Sequence, residues 1–115
     1  MAIREKAQAQ IHDLYNALMQ REPTPALIDI TDVLLQVYKK LDTVKNPEVW
    51  VNRLVNYIYI VGKASNVSFD RKEEALLIAL GDISKLAGWN GGNRAAFNDK
   101  MQFYGPLDPK PARFP

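Results

Sequence analysis

The fold depends on residues 46–63, which have the sequence NPEVWVNRLVNYIYIVGK. The β-branched and aromatic residues of this segment favour a strand, but a strand of this length would need strict alternation of apolar and polar positions. Asn46 followed by Pro47 instead has the form of a helix start, because proline presets φ and needs no N–H at the first helical position. The core candidates also recur at helical intervals, at Val51, Leu54, Val55, Ile58 and Val61. We therefore predict a helix.

Three further segments have the same periodicity and recognisable ends. Pro23 ends the first, and Thr24 with Pro25 begins the second as an N-cap and a first helical position. Asp70 and Glu73 have the spacing of a capping box at the start of the last. The predicted helices span residues 3–22, 25–41, 47–65 and 71–87.

Helices of similar length joined by short loops favour antiparallel neighbours. The predicted fold is therefore all-α: an antiparallel up-down four-helix bundle over residues 1–88. Residues 89–115 are predicted to form a loop, a short helix and a Pro-rich extended tail of the same single domain. The chain of 115 residues contains no cysteine, which excludes disulfides and thiolate metal sites.

The sequence predicts that the fourth helix ends where the C-terminal part begins. Gly88 can take the left-handed conformation that ends a helix, which would let Trp89 fold back as a structural anchor. A short helix is expected between residues 94 and 104, with Phe97, Met101 and Tyr104 on one side. Four later prolines exclude regular helix beyond it.

The net positive charge and nearly half of the aromatic residues lie after residue 88. Residues 1–88 contain eleven basic and eleven acidic residues, whereas residues 89–115 contain four basic and two acidic residues and five of the eleven aromatics. Aromatic and arginine side chains dominate binding hot spots. For Phe103, Tyr104 and Phe114, partner contact and packing remain equally good interpretations. The predicted recognition residues are Arg94, Phe97, Lys100, Phe103, Tyr104, Lys110 and Phe114.

The sequence contains no pattern typical of a catalytic or cofactor site. His12 is the only histidine, so a transition-metal site is not expected. Asp29 and Asp32, or Glu73 and Glu74, resemble paired carboxylates, but first-turn or solvent-facing positions on helices explain them. We therefore expect no enzyme, no cofactor, no metal and no small-molecule substrate.

The sequence also bears on where the protein is located and on whether it binds nucleic acid. The charged residues near the N-terminus do not fit a secretory signal, and the longest uncharged stretch, between Arg53 and Lys63, is less than half of the ~20 residues that cross a bilayer. A cytoplasmic monomer is expected. The neutral body argues against nucleic-acid binding. A generic helical adaptor or a nucleic-acid-associated regulatory protein is the alternative function.

The chain resembles the immunity proteins of class IIa, or pediocin-like, bacteriocins, and within that family the leucocin and mesentericin type. The similarity extends from the first helix to about Tyr104. Its runs are NRLVNYI at 52–58, VSFD at 67–70, EEA at 73–75, LGDI at 80–83, AGWNG at 87–91, DVLLQV at 32–37, KKLD at 39–42 and DKMQFY at 99–104.

This resemblance implies a cytoplasmic four-helix bundle that protects a bacteriocin-producing cell from its own product. It implies that the protein does not bind free bacteriocin tightly. Instead, the protein would recognise the membrane components of the mannose phosphotransferase permease from inside, once bacteriocin has engaged them, and block the pore. Peripheral association with the inner face of the membrane would accompany this, and the C-terminal part would govern which bacteriocin is countered.

Overall fold

Four helices form the body of the protein in the computed structural model, which describes residues 2–87 and 99–112. No strand occurs within those two ranges. The helices are α1 (Ile3–Met19), α2 (Pro25–Lys40), α3 (Pro47–Ala64) and α4 (Arg71–Ser84), followed by 3-10 turns at Lys85–Ala87 and Lys100–Phe103.

Each helix packs against the next along the chain, and α4 packs back against α1. The predicted all-α four-helix bundle is therefore confirmed. The apolar stripes of the four helices meet in one core, and α3 is helical as its periodicity predicts. Tyr57 of α3, which is not among the core candidates given by the periodicity, is 2% exposed and lies inside the core.

Local sequence signals set two of the helix starts as predicted. The side chain of Thr24 accepts a hydrogen bond from the backbone N–H of Leu27 at the start of α2. Asp70 and Glu73 form a reciprocal capping box at the start of α4. Asn46 makes no side-chain cap; its carbonyl oxygen accepts from the N–H of Val49 instead.

The ends of two helices differ from the prediction by more than one residue. The first ends at Met19 rather than at residue 22, because the N–H groups of Gln20 and Arg21 bond to carbonyls only three residues back and tighten the last turn. The last helix ends at Ser84 and continues as a 3-10 turn. The predictions for Gly88, Trp89, Arg94, Phe97 and Phe114 lie outside the described residues.

The short helix expected over 94–104 is, in its described part, a 3-10 turn capped by the Asp99 side chain, which accepts from the N–H of Met101. A 3-10 turn has three residues per turn, so Lys100 and Phe103 share one side. That side faces the bundle. Met101, predicted to lie on the apolar side with Tyr104, is 54% exposed.

Candidate partner-recognition site

The C-terminal segment, residues 99–112, packs on α2 and contributes to the core. Phe103 is fully buried, and its ring meets the ring of Tyr57 edge-on, with centroids 5.4 Å apart and planes at 83°. Aromatic rings prefer this geometry because the positive edge of one faces the negative face of the other. The Phe103 carbonyl also accepts a hydrogen bond of 3.1 Å from the Gln36 side chain of α2. The segment is therefore fixed to two helices at one point.

A buried ion cluster forms a second attachment. The Lys100 ammonium lies 2.9 Å from Asp29 Oδ1 and 3.0 Å from Asp32 Oδ2, and the lysine side chain is only 2% exposed. A buried ammonium needs such counter-charges because desolvation disfavours its charged form. Asp29 and Asp32 lie three residues apart, on one face of α2. Asp29 and Asp32, which the sequence explained by first-turn or solvent-facing positions, are instead paired with Lys100 and partly covered by the C-terminal segment.

Tyr104 extends this contact. Its hydroxyl donates to the backbone carbonyl of Asp32 at 3.4 Å, and the Lys110 ammonium lies 5.6 Å from the centre of its ring. Burial and, after it, the negative charges of Asp32, Asp29 and Asp108 raise the pKa of Tyr104 to about 12. The phenol is therefore a neutral donor at physiological pH.

A tight turn over residues 105–108 follows. The Asp108 N–H donates to the Gly105 carbonyl at 3.2 Å, and Asp108 Oδ2 accepts from the Gly105 N–H at 2.6 Å. The same oxygen accepts from Gln36 Nε2 at 3.1 Å and from Lys40 Nζ at 2.8 Å. The Lys40 hydrogen bond, followed by the one from the Gly105 N–H, holds the pKa of Asp108 below its usual value. The Asp108 carboxylate thus connects the turn to α2 by hydrogen bonds.

The described recognition candidates therefore fall into two groups. Lys100 and Phe103 have almost no surface, so in this arrangement they attach the segment and cannot touch a partner directly. Tyr104 is half-buried, and Lys110 is exposed, with its ammonium donating to the Gly105 carbonyl at 3.0 Å. Their role in recognition stays a prediction.

Sequence reasoning missed the residues of α2 that receive the segment. Gln36 is a polar residue of α2, a type usually found on the solvent face of a helix, yet it is 5% exposed and bonds to two parts of the segment. The signal available in the sequence was a row of polar residues on α2 at helical spacing, followed much later by Lys100 and Asp108 as complementary groups. Those residues are Asp29, Asp32, Gln36 and Lys40.

Two observations concern other kinds of site. Within residues 2–87 and 99–112, no group of three or more histidine or carboxylate side chains is placed to hold a metal ion. In the same part of the chain, no helix has the length and apolar character needed to cross a membrane.

Residues 4–85, which contain all of the four helices except the first residue of α1, match the family model of the bacteriocin immunity protein family. The chain belongs to this family. It is 46% identical over 100 residues to a probable leucocin-A immunity protein of Leuconostoc gelidum, covering 87% of this chain and 88% of that protein. It is 48% identical over 95 residues to a probable mesentericin-Y105 immunity protein of Leuconostoc mesenteroides, covering 83% and 84%. No solved structure matches.

These relatives confirm the predicted resemblance to class IIa immunity proteins of the leucocin and mesentericin type. The protein is therefore a bacteriocin immunity protein. The family match ends at residue 85, so the C-terminal segment of this immunity protein lies beyond the matched part.

Proposed function

We propose that this immunity protein protects the cell that makes it against a class IIa bacteriocin of the leucocin or mesentericin type. The observation that carries this proposal is the 46% and 48% identity to two proteins described as probable immunity proteins against leucocin A and mesentericin Y105. Both similarities cover more than four-fifths of this chain.

Protection is proposed to work by binding rather than by covalent chemistry. The buried charges of this molecule hold its parts together: Lys100 attaches the C-terminal segment to α2, and Glu73 bonds to Arg21 at 2.9 Å while capping α4. His12, the one histidine of the chain, has a side chain that is 60% exposed on α1. These groups thus have structural or solvent-facing positions.

The proposed partner is the membrane part of the mannose phosphotransferase permease with bacteriocin bound, contacted from the cytoplasmic side. The family resemblance supports this choice. A protein that prefers the occupied permease over the empty one stabilises the blocked state without chemistry. Converting a 1:99 mixture of open and blocked states into 99:1 would need a preference of about 10⁴-fold.

The proposed contact residues belong to the C-terminal part. Tyr104 and Lys110 would touch the partner directly, together with Arg94, Phe97 and Phe114. Lys100 and Phe103 would hold the segment in place, and Gly88 with Trp89 would anchor its start. A cation near an anionic leaflet contributes only about 1 kcal/mol, so we expect membrane association to depend on the permease.

Capture from membranes tests the partner. Tagged protein is mixed with solubilised membranes of a sensitive strain, with and without bacteriocin, and the captured permease is quantified. We expect capture only with bacteriocin, and none from membranes of a strain that lacks the permease. Equal capture without bacteriocin, or tight binding of free bacteriocin by the protein, would contradict the proposal.

A further inference from the structure

Leu107 is 97% exposed, the highest exposure among the large apolar residues of residues 2–87 and 99–112. It is the third residue of the 105–108 turn, directly after Pro106. Proline at the second position suits a type I turn, and the only non-glycine residue with positive φ in the described chain is Asn66, so Leu107 has ordinary turn geometry. Single exposed leucines are common in proteins. The unusual feature here is how firmly this one is held.

The base of the turn is held from several directions. Asp108 Oδ2 accepts from the Gly105 N–H, from Gln36 and from Lys40, while the Gly105 carbonyl accepts from Asp108 and Lys110. A Cβ atom at Gly105 would lie 3.2 Å from Asp108 Oδ2, so glycine permits this close approach. The backbone groups of Gly105 and the carboxylate of Asp108 are thus engaged within the turn and with α2, whereas the Leu107 side chain projects into solvent.

We propose that Leu107 is an apolar anchor that inserts into a pocket of the protein partner, with Asp108 as the residue that positions it. This inference rests on the proposed function and names one residue that determines specificity there. A turn already fixed in its bound shape loses little conformational freedom on binding, which favours affinity. Full burial of one leucine side chain corresponds to about 10- to 100-fold in affinity.

A protein pocket fits this geometry better than a lipid surface does. Even a single myristoyl chain gives only marginal membrane binding, and one leucine is far smaller. The nearby cations are engaged: Lys40 pairs with Asp108, Lys100 is buried between two carboxylates, and Lys110 donates to the Gly105 carbonyl. A single rigidly presented side chain therefore matches an apolar cavity of defined shape.

The test compares Leu107→Gln with Leu107→Met and with a matched control, Ile78→Gln. Ile78 is 57% exposed on α4, so the control replaces an exposed apolar side chain of similar size elsewhere on the protein. Each variant is expressed in a bacteriocin-sensitive strain, and the inhibitory concentration of the bacteriocin against which the unaltered protein protects is measured at equal soluble protein. We expect Leu107→Gln to lower protection at least tenfold, with Leu107→Met and Ile78→Gln close to the unaltered protein. Thermal melting of all variants should agree.

The outcomes separate this inference from the proposed function. If the unaltered protein protects and Leu107→Gln protects equally well, the Leu107 inference alone is overturned. If the unaltered protein protects against no class IIa bacteriocin, the proposed function fails and the inference falls with it. Sedimentation with phosphatidylglycerol-containing vesicles gives the last comparison. If the protein binds vesicles that lack the permease, and this binding depends on Leu107, the residue is a lipid anchor and the proposed protein pocket is overturned. If Leu107→Gln loses protection and the unaltered protein does not bind vesicles, the proposed pocket is supported.

Discussion

Phe103 of the C-terminal segment packs edge-on against Tyr57 of α3, with ring centroids 5.4 Å apart. Neither residue is more than 2% exposed. The segment that follows the four helices therefore contributes a large side chain to their common core. Its attachment and the stability of the bundle are consequently coupled.

Replacing Phe103 by Ala tests that coupling. We expect the free energy of unfolding to fall by about 3 to 5 kcal/mol, because the change removes a buried ring and leaves a cavity. Phe103→Leu should cost less, and Met101→Ala, at a residue that is 54% exposed, should cost little. Denaturant unfolding measures all three. A Phe103→Ala variant as stable as the Met101→Ala control would show that the segment is not part of the core.

Removing the charge of Lys100 tests the ion cluster. Lys100→Met should lower the free energy of unfolding by about 1 to 3 kcal/mol, since it removes the ammonium that lies within hydrogen-bond distance of both Asp29 and Asp32. The partial exposure of the two carboxylates keeps the cost below that of a fully buried pair. Adding Asp29→Asn and Asp32→Asn to this variant should recover most of the loss. If the single and triple variants are equally stable, the cluster does not attach the segment.

The free energy of unfolding at acid pH tests the hydrogen bonds assigned to Asp108. Its pKa is lowered in the folded protein, so its ionised form stabilises the fold above the ordinary pKa of about 3.9, and this contribution is lost as pH falls through the folded value. The difference in unfolding free energy between the unaltered protein and Asp108→Asn should be constant near neutral pH and shrink below about pH 4. A difference that does not change on acidification would contradict the assigned hydrogen bonds.

The free energy of unfolding at alkaline pH tests the raised pKa of Tyr104. In the unfolded chain its phenol ionises near pH 10, whereas in the folded protein its pKa is raised to about 12. The unfolded state therefore binds fewer protons between these values, and stability should fall as pH rises through them. Tyr104→Phe should make that fall less steep and remove, from an ultraviolet titration, one tyrosine that ionises near pH 12. If the titration curve is unchanged by the substitution, the pKa of Tyr104 is not raised.

Periodicity and local start signals predicted the fold because both act over a few residues. The stripe of α3 identified a helix despite its β-branched residues, and Thr24 and Asp70 cap their helices as their spacing predicts. Helix ends were less accurate. Hydrogen bonds to carbonyls three residues back end α1 at Met19, before the restriction imposed by Pro23 applies.

The attachment of the C-terminal segment could not be predicted from the same rules. A four-helix core by itself leaves the polar face of α2 uncovered, so the sequence pattern alone favours a solvated face. Burial of Gln36 and pairing of Asp29 with Lys100 both depend on a segment more than sixty residues later along the chain. Whether the polar face of α2 is solvated or binds the C-terminal segment therefore depends on the path of that segment.

The most direct measurement of the central claim is the inhibitory concentration of class IIa bacteriocins against a sensitive strain that expresses this chain. We predict a clear rise for at least one leucocin- or mesentericin-like peptide, relative to the same strain carrying an empty vector. Unchanged sensitivity to every peptide of the panel, with the protein present and folded, would contradict the account.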